Sequence, residues 1–235
     1  FSKCSSLTEI EIPNSVTVIA SCAFYKCFSL KQITIPSSVT ELGCRVFENC
    51  KSLKSITLNA PILSIEEYLF NHCSMLQNLT IPLTVTKIGD YSFNCCSQLQ
   101  KLIIPSSVKK IGRNAFARCS NLKQITIPQS LTSIGNYVFS ECIKLKEIEI
   151  PKEIPLKSIG EGFFKNCQSL EKVTFPNSVE VIESYAFYNC SSLKEIEIPP
   201  PVTSIKDYAF YNCVLFKKVT IPSSVVSIDE YAFSR

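Results

Sequence analysis

The chain has 235 residues, of which 46% are hydrophobic and 19% charged, and its formal net charge is +4. The 24 basic and 20 acidic residues are mixed along the chain, so the charge is too diffuse for a nucleic-acid-binding face, which needs clustered cations. The longest apolar runs are far shorter than the roughly 18 residues of a membrane-spanning helix. We therefore expect neither nucleic acid binding nor membrane insertion from this segment.

A Phe-x-x-Cys element recurs along the whole chain, and the stretch LKQITIP occurs twice, at 30–36 and 122–128. The repeat phenylalanines are Phe1, Phe24, Phe47, Phe70, Phe93, Phe116, Phe139, Phe164, Phe187, Phe210 and Phe233. Every step is 23 residues except the step from Phe139 to Phe164, which is 25. A fixed period of this length predicts a repeat solenoid. We predict one solenoid domain over 1–235, built from ten units and cut within a repeat at both ends.

Each unit begins its predicted structure with a strand. With the phenylalanine as position 0, positions 7 to 11 alternate polar and apolar residues, as in KQITI at 31–35, which is the period-2 pattern of a strand. Ile33 and Ile35 would point inward, and Gln32 and Thr34 outward. A proline follows at position 12 in nine of the ten units, with Asn59 as the exception. Since proline has no N–H for a ladder, it should end the strand.

The rest of the unit is predicted to contain a turn, a short extended piece and one helical turn. Val39 and Leu42 are apolar at a spacing of three, which indicates a turn followed by an extended segment. Gly43 and Gly112 belong to a glycine series at position 19, for which we predict a left-handed backbone conformation. The stretch DYSFNCC at 90–96 is too short for a stable α-helix and suits one helical or 3₁₀ turn.

One such unit cannot shield its own apolar side, so neighbouring units must share a core. The pattern predicts that the repeat phenylalanines stack as a buried spine. Equivalent strands of adjacent units would pair in parallel at a spacing of about 4.8 Å.

The full pattern, L-x-x-I-x-I-P-x-S-V-x-x-I-G-x-x-A-F-x-x-C-x-S, resembles the BspA-like type of leucine-rich repeat. The departures are Asn59 for proline, Phe216 for leucine at position 6, Ser92 for alanine at position 22, and the two-residue insertion near Pro155. The resemblance implies a leucine-rich-repeat horseshoe with a parallel β-sheet on its concave side and short turns and extended segments on its convex side. Members of this family are surface proteins of bacteria and parasitic protists and are associated with adhesion to host cells and extracellular-matrix proteins, so the resemblance implies such a role.

Thirteen cysteines are many for one chain, and a disulfide framework is one interpretation. Ten of them occupy position 3: Cys4, Cys27, Cys50, Cys73, Cys96, Cys119, Cys142, Cys167, Cys190 and Cys213. Stacked side chains would point the same way rather than at each other, which favours a column of reduced, buried thiols. Cys22 and Cys44 lie at nearly equivalent positions of neighbouring units, so a bridge between these two stays open.

No pattern in the chain predicts catalysis, a cofactor or a metal. His72 is the only histidine and has no acid or nucleophile at a fixed spacing. The sequence contains no Cys-x-x-Cys pair, phosphate-cradling glycine loop or nucleophile elbow. Ten similar units also give no reason for one unique catalytic pocket, so we predict a non-enzymatic protein.

The outward residues of the predicted strands form two columns on the concave face, at positions 8 and 10. We interpret this face as a protein-binding strip with candidate residues Asn78, Lys101, Ile103, Gln124, Thr126, Glu147, Glu149, Lys172, Glu195 and Glu197. The alternative is that these residues serve solubility and sheet stability, with Glu147, Lys172, Glu195 and Lys218 pairing across strands. Ile103 is the candidate contact centre, because an apolar residue there gains nothing from water.

A tyrosine stripe offers an alternative binding surface. Position 21 carries Tyr68, Tyr91, Tyr137, Tyr185, Tyr208 and Tyr231, with Tyr188 and Tyr211 nearby. The stripe could bind a partner through Tyr185, Tyr208 and Tyr211, since tyrosine is favoured at interfaces. It could equally be a half-buried stacking ladder.

Two glycosylation sequons, at Asn78 and Asn189, add a competing possibility. A glycan on Asn78 would cover the strip that we interpret as a binding face.

Two functional hypotheses follow. The first is a recognition module for a protein ligand within a cell-surface or secreted adhesin. The second is an intracellular scaffold that uses the same face, which reduced thiols would suit because disulfides are rare in the cytosol. A signal peptide or anchor in the full-length gene would separate the two. In either case, uncapped ends expose strand edges through which the fragment could self-associate.

Overall fold

The computed structural model describes residues 1–235 as a stack of coils that contains eighteen short strands and no helix. One row of strands lies on the predicted ITI segments: β2 Gln32–Ile35, β4 Ser55–Leu58, β7 Lys101–Ile103, β9 Gln124–Thr126, β11 Glu147–Glu149, β13 Lys172–Thr174, β15 Glu195–Glu197 and β17 Lys218–Thr220. The other row consists of β1 Val18–Ile19, β3 Glu41–Leu42, β5 Ser64–Ile65, β6 Lys87–Ile88, β8 Lys110–Ile111, β10 Ser133–Ile134, β12 Ser158–Ile159, β14 Val181–Ile182, β16 Ser204–Ile205 and β18 Ser227–Ile228. The repeat solenoid is confirmed.

In the first row, all strand pairs are parallel and equivalent positions face each other, as predicted. The hydrogen-bonded pairs are β2–β4, β7–β9, β11–β13 and β15–β17, while β9 and β13 still contact β11 and β15, respectively. The β2–β4 pair is the longest, because the N–H of Asn59 donates to the carbonyl of Ile35 at 3.0 Å. In the other units, proline stands at this position and removes that donor.

The second row pairs in longer runs, β1–β3, β5–β6–β8–β10 and β12–β14–β16–β18. Its two breaks fall at the two irregular units. One of these units has Asn59 and Pro61 in place of the usual proline, and the other contains the two extra residues near Pro155. In the longer unit, Ile154 and Leu156 turn into the core, where they are 1% and 5% exposed.

The phenylalanine spine runs through the middle of the stack. Consecutive rings lie with their centroids 5.0 to 5.8 Å apart. The nine rings from Phe24 to Phe210 are buried, whereas Phe1 is exposed and Phe233 is half-buried at the two ends. The nine buried rings belong to one apolar cluster of 66 buried residues, so the predicted spine is confirmed between the terminal units.

The predicted helical or 3₁₀ turn around each phenylalanine is wrong. The residues two before and two after the phenylalanine have positive φ, for example Asn114 at 53° and Arg118 at 60° around Phe116. A right-handed helix cannot continue through such residues. Alternate N–H groups, including that of Phe116, donate to carbonyls of the next unit, while Ala117 and Cys119 close turns within their own unit. This segment is therefore a series of turns.

The predicted left-handed glycines at position 19 are also wrong. Gly43 and Gly112 do not have positive φ, and Gly162 is the only glycine that does. The reason for glycine at position 19 is a close approach between neighbouring units. A Cβ on Gly112 would lie 2.6 Å from the backbone nitrogen of Asp90, and one on Gly43 would lie 2.4 Å from that of Ser21.

Candidate protein-binding surface

The first row of strands and the equivalent segments of the other units present positions 8 and 10 to solvent, with Thr174 half-buried. We name this surface the sheet face. Position 8 comprises Glu9, Gln32, Ser55, Asn78, Lys101, Gln124, Glu147, Lys172, Glu195 and Lys218. Position 10 comprises Glu11, Thr34, Thr57, Thr80, Ile103, Thr126, Glu149, Thr174, Glu197 and Thr220. All ten candidate residues of the predicted strip are exposed, because the pleat alternates them with buried residues such as Leu102 and Ile148.

Ile103 is the large apolar side chain in the middle of the sheet face. It is 61% exposed and lies in register with Thr126 on the neighbouring strand. On the other side, the equivalent residue is Thr80, whose segment belongs to no strand and is held by a single parallel bridge between Asn78 and Ser55. Exposure of this apolar side chain to water is unfavourable in free energy, and contact with a partner would relieve it.

The charges of the sheet face are not paired with each other. Glu147 is the register partner of Lys172, and Glu195 is that of Lys218, so the predicted neighbours are adjacent. The ion pairs of the chain nevertheless lie elsewhere: Arg45–Glu48, Arg118–Glu141, Lys157–Glu180, Glu171–Lys194 and Lys206–Asp229. The predicted cross-strand pairing is therefore absent, and these four side chains keep their charges free for other contacts.

The sheet face is hollow rather than flat. A trough of about 860 Å³ follows its N-terminal part, between Glu9 and Asn59. A second trough of about 420 Å³ extends from Lys101 to Thr174. A third of about 620 Å³ extends from Lys172 to Pro222. The second and third troughs share Lys172 and Thr174, so they continue one another along the stack.

The C-terminal part of the tyrosine stripe is a stacking ladder. Tyr185 and Tyr208 stack with their centroids 5.2 Å apart, and Tyr188 and Tyr211 stack beside them at 5.1 Å. These four rings are half-buried. The amino group of Lys165 adds a cation–π contact at 5.1 Å from the Tyr185 ring. Because the faces of these rings are in contact with one another, little ring surface remains for a partner, which favours the structural interpretation.

Polar ladders, which the sequence reasoning did not identify, flank the spine. Asn189 donates to the side-chain oxygen of Asn166 and accepts from Asn212, at 3.0 and 2.8 Å. Asn71 links the carboxylate of Glu48 to Asn94 in the same way, at 3.0 and 2.8 Å. The available signal was asparagine at the same position of successive units. The amide of Asn189 is engaged in this ladder and is half-buried, whereas Asn78 is exposed.

The cysteine column is structural. All thirteen cysteines are free, including Cys22 and Cys44, and the nine column thiols from Cys27 to Cys213 are buried. Burial raises the pKa of the Cys50 and Cys213 thiols to about 12. The column thiols are therefore protonated at neutral pH, and thiolate chemistry is unfavourable there.

The remaining candidate for chemistry is the turn around His72. His72 is exposed and borders a depression of about 420 Å³ together with Cys95, Arg118 and Glu141. Burial raises the pKa of Cys95 above its ordinary 9.0 despite the adjacent Arg118, so this thiol is not activated. No group of three or more His, Cys, Asp or Glu side chains is placed to hold a metal ion. The chain also lacks a helix long and apolar enough to cross a bilayer.

Comparisons with known proteins place this architecture in a family. The model of the BspA type leucine-rich repeat region matches residues 1–123 and 109–235. A leucine-rich repeat protein from Bacteroides ovatus is 27% identical, with a TM-score of 0.75, over 100% of this chain and 72% of its own. One from Eubacterium ventriosum is also 27% identical with a TM-score of 0.75, and this chain covers 64% of its length.

A leucine-rich repeat protein from T. pallidum is 26% identical, with a TM-score of 0.53, over 76% of this chain and 72% of its own. No curated protein matches the chain. The family model covers the chain from end to end, and the solved structures share its coil of parallel strands. The chain therefore belongs to the BspA type leucine-rich repeat family, whose repeats generally serve as protein-interaction modules.

Proposed function

We propose that this chain is a non-enzymatic recognition module that binds a protein ligand on its sheet face. The observation that carries the proposal is the 61% exposure of Ile103 on a face whose charged side chains form no ion pairs with one another. An exposed apolar centre with a polar surround is the usual composition of a binding patch. Family membership supports the general role in protein interaction.

The stacked architecture suits recognition because it is rigid before binding. Each unit is fixed by its neighbours through the spine and the strand rows, so the sheet face loses little conformational freedom when a partner binds. The hollow shape lets a ligand contact several units at once. These properties favour a broad protein ligand over a small molecule, which needs a deeper and more enclosed pocket.

We further propose that the module is part of a cell-surface or secreted adhesin that contacts host or extracellular-matrix proteins. The support is the resemblance of its repeat pattern to those of such surface proteins. The rival is an intracellular scaffold that binds through the same face, and the thirteen free cysteines are compatible with it. A signal peptide or surface anchor encoded in the full-length gene would favour the adhesin, and a gene without either would favour the scaffold.

Binding is tested with the purified chain immobilised and exposed to extracellular-matrix proteins and to cell lysate. We expect Ile103→Glu to abolish capture of the partner, since it places a charge in the contact centre. Leu63→Glu is the matched control, because Leu63 is 69% exposed and lies next to β5, outside the sheet face. Equal capture by wild type and the Ile103→Glu variant, with both folded, would exclude Ile103 as the contact centre and remove the observation that carries the proposal.

A glycan at Asn78 would compete with this proposal. Asn78 is exposed at position 8, so an attached glycan would cover the approach to Ile103. A glycopeptide map of the native protein decides between the two. We expect Asn78 to be unmodified in the form that binds its ligand.

A further inference from the structure

The C-terminal part of the sheet face carries a charge pattern that repeats every second strand. We name the outward residues of β11, β13, β15 and β17 the four-strand segment. It consists of Glu147 and Glu149, Lys172 and Thr174, Glu195 and Glu197, and Lys218 and Thr220. The sign of the charge therefore alternates from strand to strand as minus, plus, minus, plus. The same order of residue types, Glu-Ile-Glu followed by Lys-Val-Thr, occurs twice.

These charges remain available to a partner. All six charged side chains of the segment are exposed, and none of them forms an ion pair. At the strand entrances, Lys194 lies next to Glu195 in sequence but is paired with Glu171 at 2.8 Å, so it does not neutralise the Glu195 carboxylate. A partner with complementary charges could therefore form ion pairs with side chains that have no such pair within this chain.

The spacing of the strands selects the conformation of that partner. Hydrogen-bonded strands such as β11 and β13 lie about 4.8 Å apart, and β13 and β15 are in contact without a ladder. With the same spacing throughout, the four charge positions fall at about 0, 4.8, 9.6 and 14.4 Å along the stack. An α-helix rises about 1.5 Å per residue, which places residues i, i+3, i+7 and i+10 at about 0, 4.5, 10.5 and 15 Å. These four residues lie in one stripe of the helix. Along the axis of the stack, the position of each of these residues differs by less than about 1 Å from that of one strand of the segment.

Other backbone conformations match less well. In an extended strand, residues on one face recur at about 6.6 Å, so they drift out of phase after one step. In a polyproline II helix, residues on one face recur at about 9.3 Å, so they meet only every second strand and leave Lys172 and Lys218 without a partner. A helix meets all four.

We propose that the four-strand segment binds an α-helix that lies along the stack and carries a cation at i, an anion at i+3, a cation at i+7 and an anion at i+10. The cations would lie between the paired carboxylates of Glu147 and Glu149 and of Glu195 and Glu197. The anions would meet Lys172 and Lys218. The proposal rests on the proposed function of the sheet face as a protein-binding surface.

Ile103 extends the match by one further point. It lies on β7, two strands before β11, which is about 9.6 Å along the stack. Residue i−7 of the same helix would lie about 10.5 Å before residue i, so it should be apolar. The partner is thus an amphipathic helix of at least about 18 residues, with an apolar residue followed by alternating charges. The two continuous troughs between Lys101 and Pro222 provide the groove for it.

The test uses labelled helical peptides on an alanine background and fluorescence anisotropy with the whole chain. The matched peptide carries Leu at i−7, Arg at i and i+7, and Glu at i+3 and i+10. The control peptide has the same composition but carries Arg at i and i+3 and Glu at i+7 and i+10. We expect the matched peptide to bind at least about ten-fold more tightly than the control. Equal affinities, or no binding of either peptide, would overturn the proposal.

Protein variants locate the site. The double variant Glu195→Lys with Glu197→Lys should weaken binding of the matched peptide at least about ten-fold, and a peptide with Glu at i+7 should recover it. The control is Glu9→Lys with Glu11→Lys, because this pair is another exposed Glu-Ile-Glu on the sheet face but its neighbours are Gln32 and Thr34. We expect the control to bind normally. Equal loss in both double variants would show nonspecific charge attraction and overturn the proposal.

The outcome also separates this inference from the proposed function. If Ile103→Glu abolishes capture of a protein partner while neither helical peptide binds, the sheet face is a recognition surface but its ligand is not this helix. If Ile103→Glu has no effect on partner capture and the peptides do not bind, both proposals fail.

Discussion

The thiol of Cys119 donates a hydrogen bond to the carbonyl oxygen of Phe93, 3.2 Å away and one unit earlier in the stack. The same contact recurs for each column thiol from Cys27 to Cys213, at 3.0 to 3.3 Å. The phenylalanine carbonyl also accepts the N–H of the cysteine in its own unit, as Phe116 does from Cys119. Cysteine suits this position because it is small and apolar and still supplies a weak donor.

Stability should fall at alkaline pH because of these thiols. Burial raises the pKa of Cys50 and Cys213 to about 12 and that of Cys119 well above its ordinary 9.0. Above about pH 9, the unfolded chain loses thiol protons that the native chain retains, so the free energy of unfolding decreases as pH rises, and it is undiminished below pH 9. Each retained proton contributes a slope of about 1.4 kcal/mol per pH unit. Urea unfolding between pH 7 and 11 measures this dependence.

Cys119→Ala is the matched control for this prediction, because tyrosines and lysines also ionise at alkaline pH. We expect the variant to show a slope that is shallower by the contribution of one thiol. An unchanged slope would mean that the Cys119 thiol titrates normally in the native protein.

The spine should dominate the stability of the central units. Phe116 is fully buried and stacks on Phe93 and Phe139 at 5.5 and 5.8 Å. Phe116→Ala should lower the free energy of unfolding by about 3–5 kcal/mol, through lost burial and a cavity. Ile103→Ala, at an exposed position, should change it by less than about 0.5 kcal/mol. A loss below about 1 kcal/mol for Phe116→Ala in a denaturant melt would contradict the buried spine.

Gly112→Ala tests whether close approach is the reason for glycine at position 19. A Cβ there would lie 2.6 Å from the nitrogen of Asp90 and 2.7 Å from the carbonyl carbon of Gly89, so we expect a loss of about 1–3 kcal/mol. Gly112→Asn distinguishes the two explanations, because asparagine tolerates a left-handed conformation better than alanine. Close approach predicts that asparagine destabilises at least as much as alanine. A milder effect of asparagine would favour the left-handed explanation.

The strands and the core could be predicted from the sequence because both depend on which side chains are buried, and apolar residues mark those positions. In β2, the polar residues Gln32 and Thr34 are exposed and the apolar residues Ile33 and Ile35 are buried, as their alternation in the sequence predicts. The exposure of Ile103 follows from the same alternation and from nothing else in the sequence. The same alternation recurs in the other units, so an atypical residue in one unit does not obscure the pattern.

The turns around the phenylalanine could not be predicted in the same way. Tyrosine and arginine rarely adopt positive φ, yet Tyr185 and Arg118 do so at 60°, because the next unit accepts their N–H groups. Asparagine at Asn166 and Asn189 was the available signal, since it tolerates this conformation. The absence of ion pairs on the sheet face was also unpredictable, because register fixes the backbone of Glu147 and Lys172 but not their flexible ends.

Ser92 should be a weak point that can be repaired. It is fully buried, and its hydroxyl has no hydrogen-bond partner, whereas Ala115 fills the equivalent place one unit later. Ser92→Ala should raise the free energy of unfolding by about 1–2 kcal/mol, because it removes an unsatisfied buried group. Ser107→Ala should instead lower it by about 1 kcal/mol, since Ser107 donates to the carbonyl of Val85 at 2.7 Å. Thermal melts with the same sign for both variants would contradict this account.

The tyrosine stripe should contribute to stability and not to ligand binding. Tyr208 stacks on Tyr185 and Tyr231 at 5.2 and 5.0 Å, so Tyr208→Ser removes two ring contacts, each worth about 0.5–1.5 kcal/mol beyond burial. We expect a loss of about 1–3 kcal/mol in a denaturant melt and unchanged capture of the protein partner below the melting transition. Tyr185→Ser and Tyr211→Ser should behave alike. Loss of binding in any of these folded variants, with Ile103→Glu binding normally, would move the recognition surface from the sheet face to the stripe.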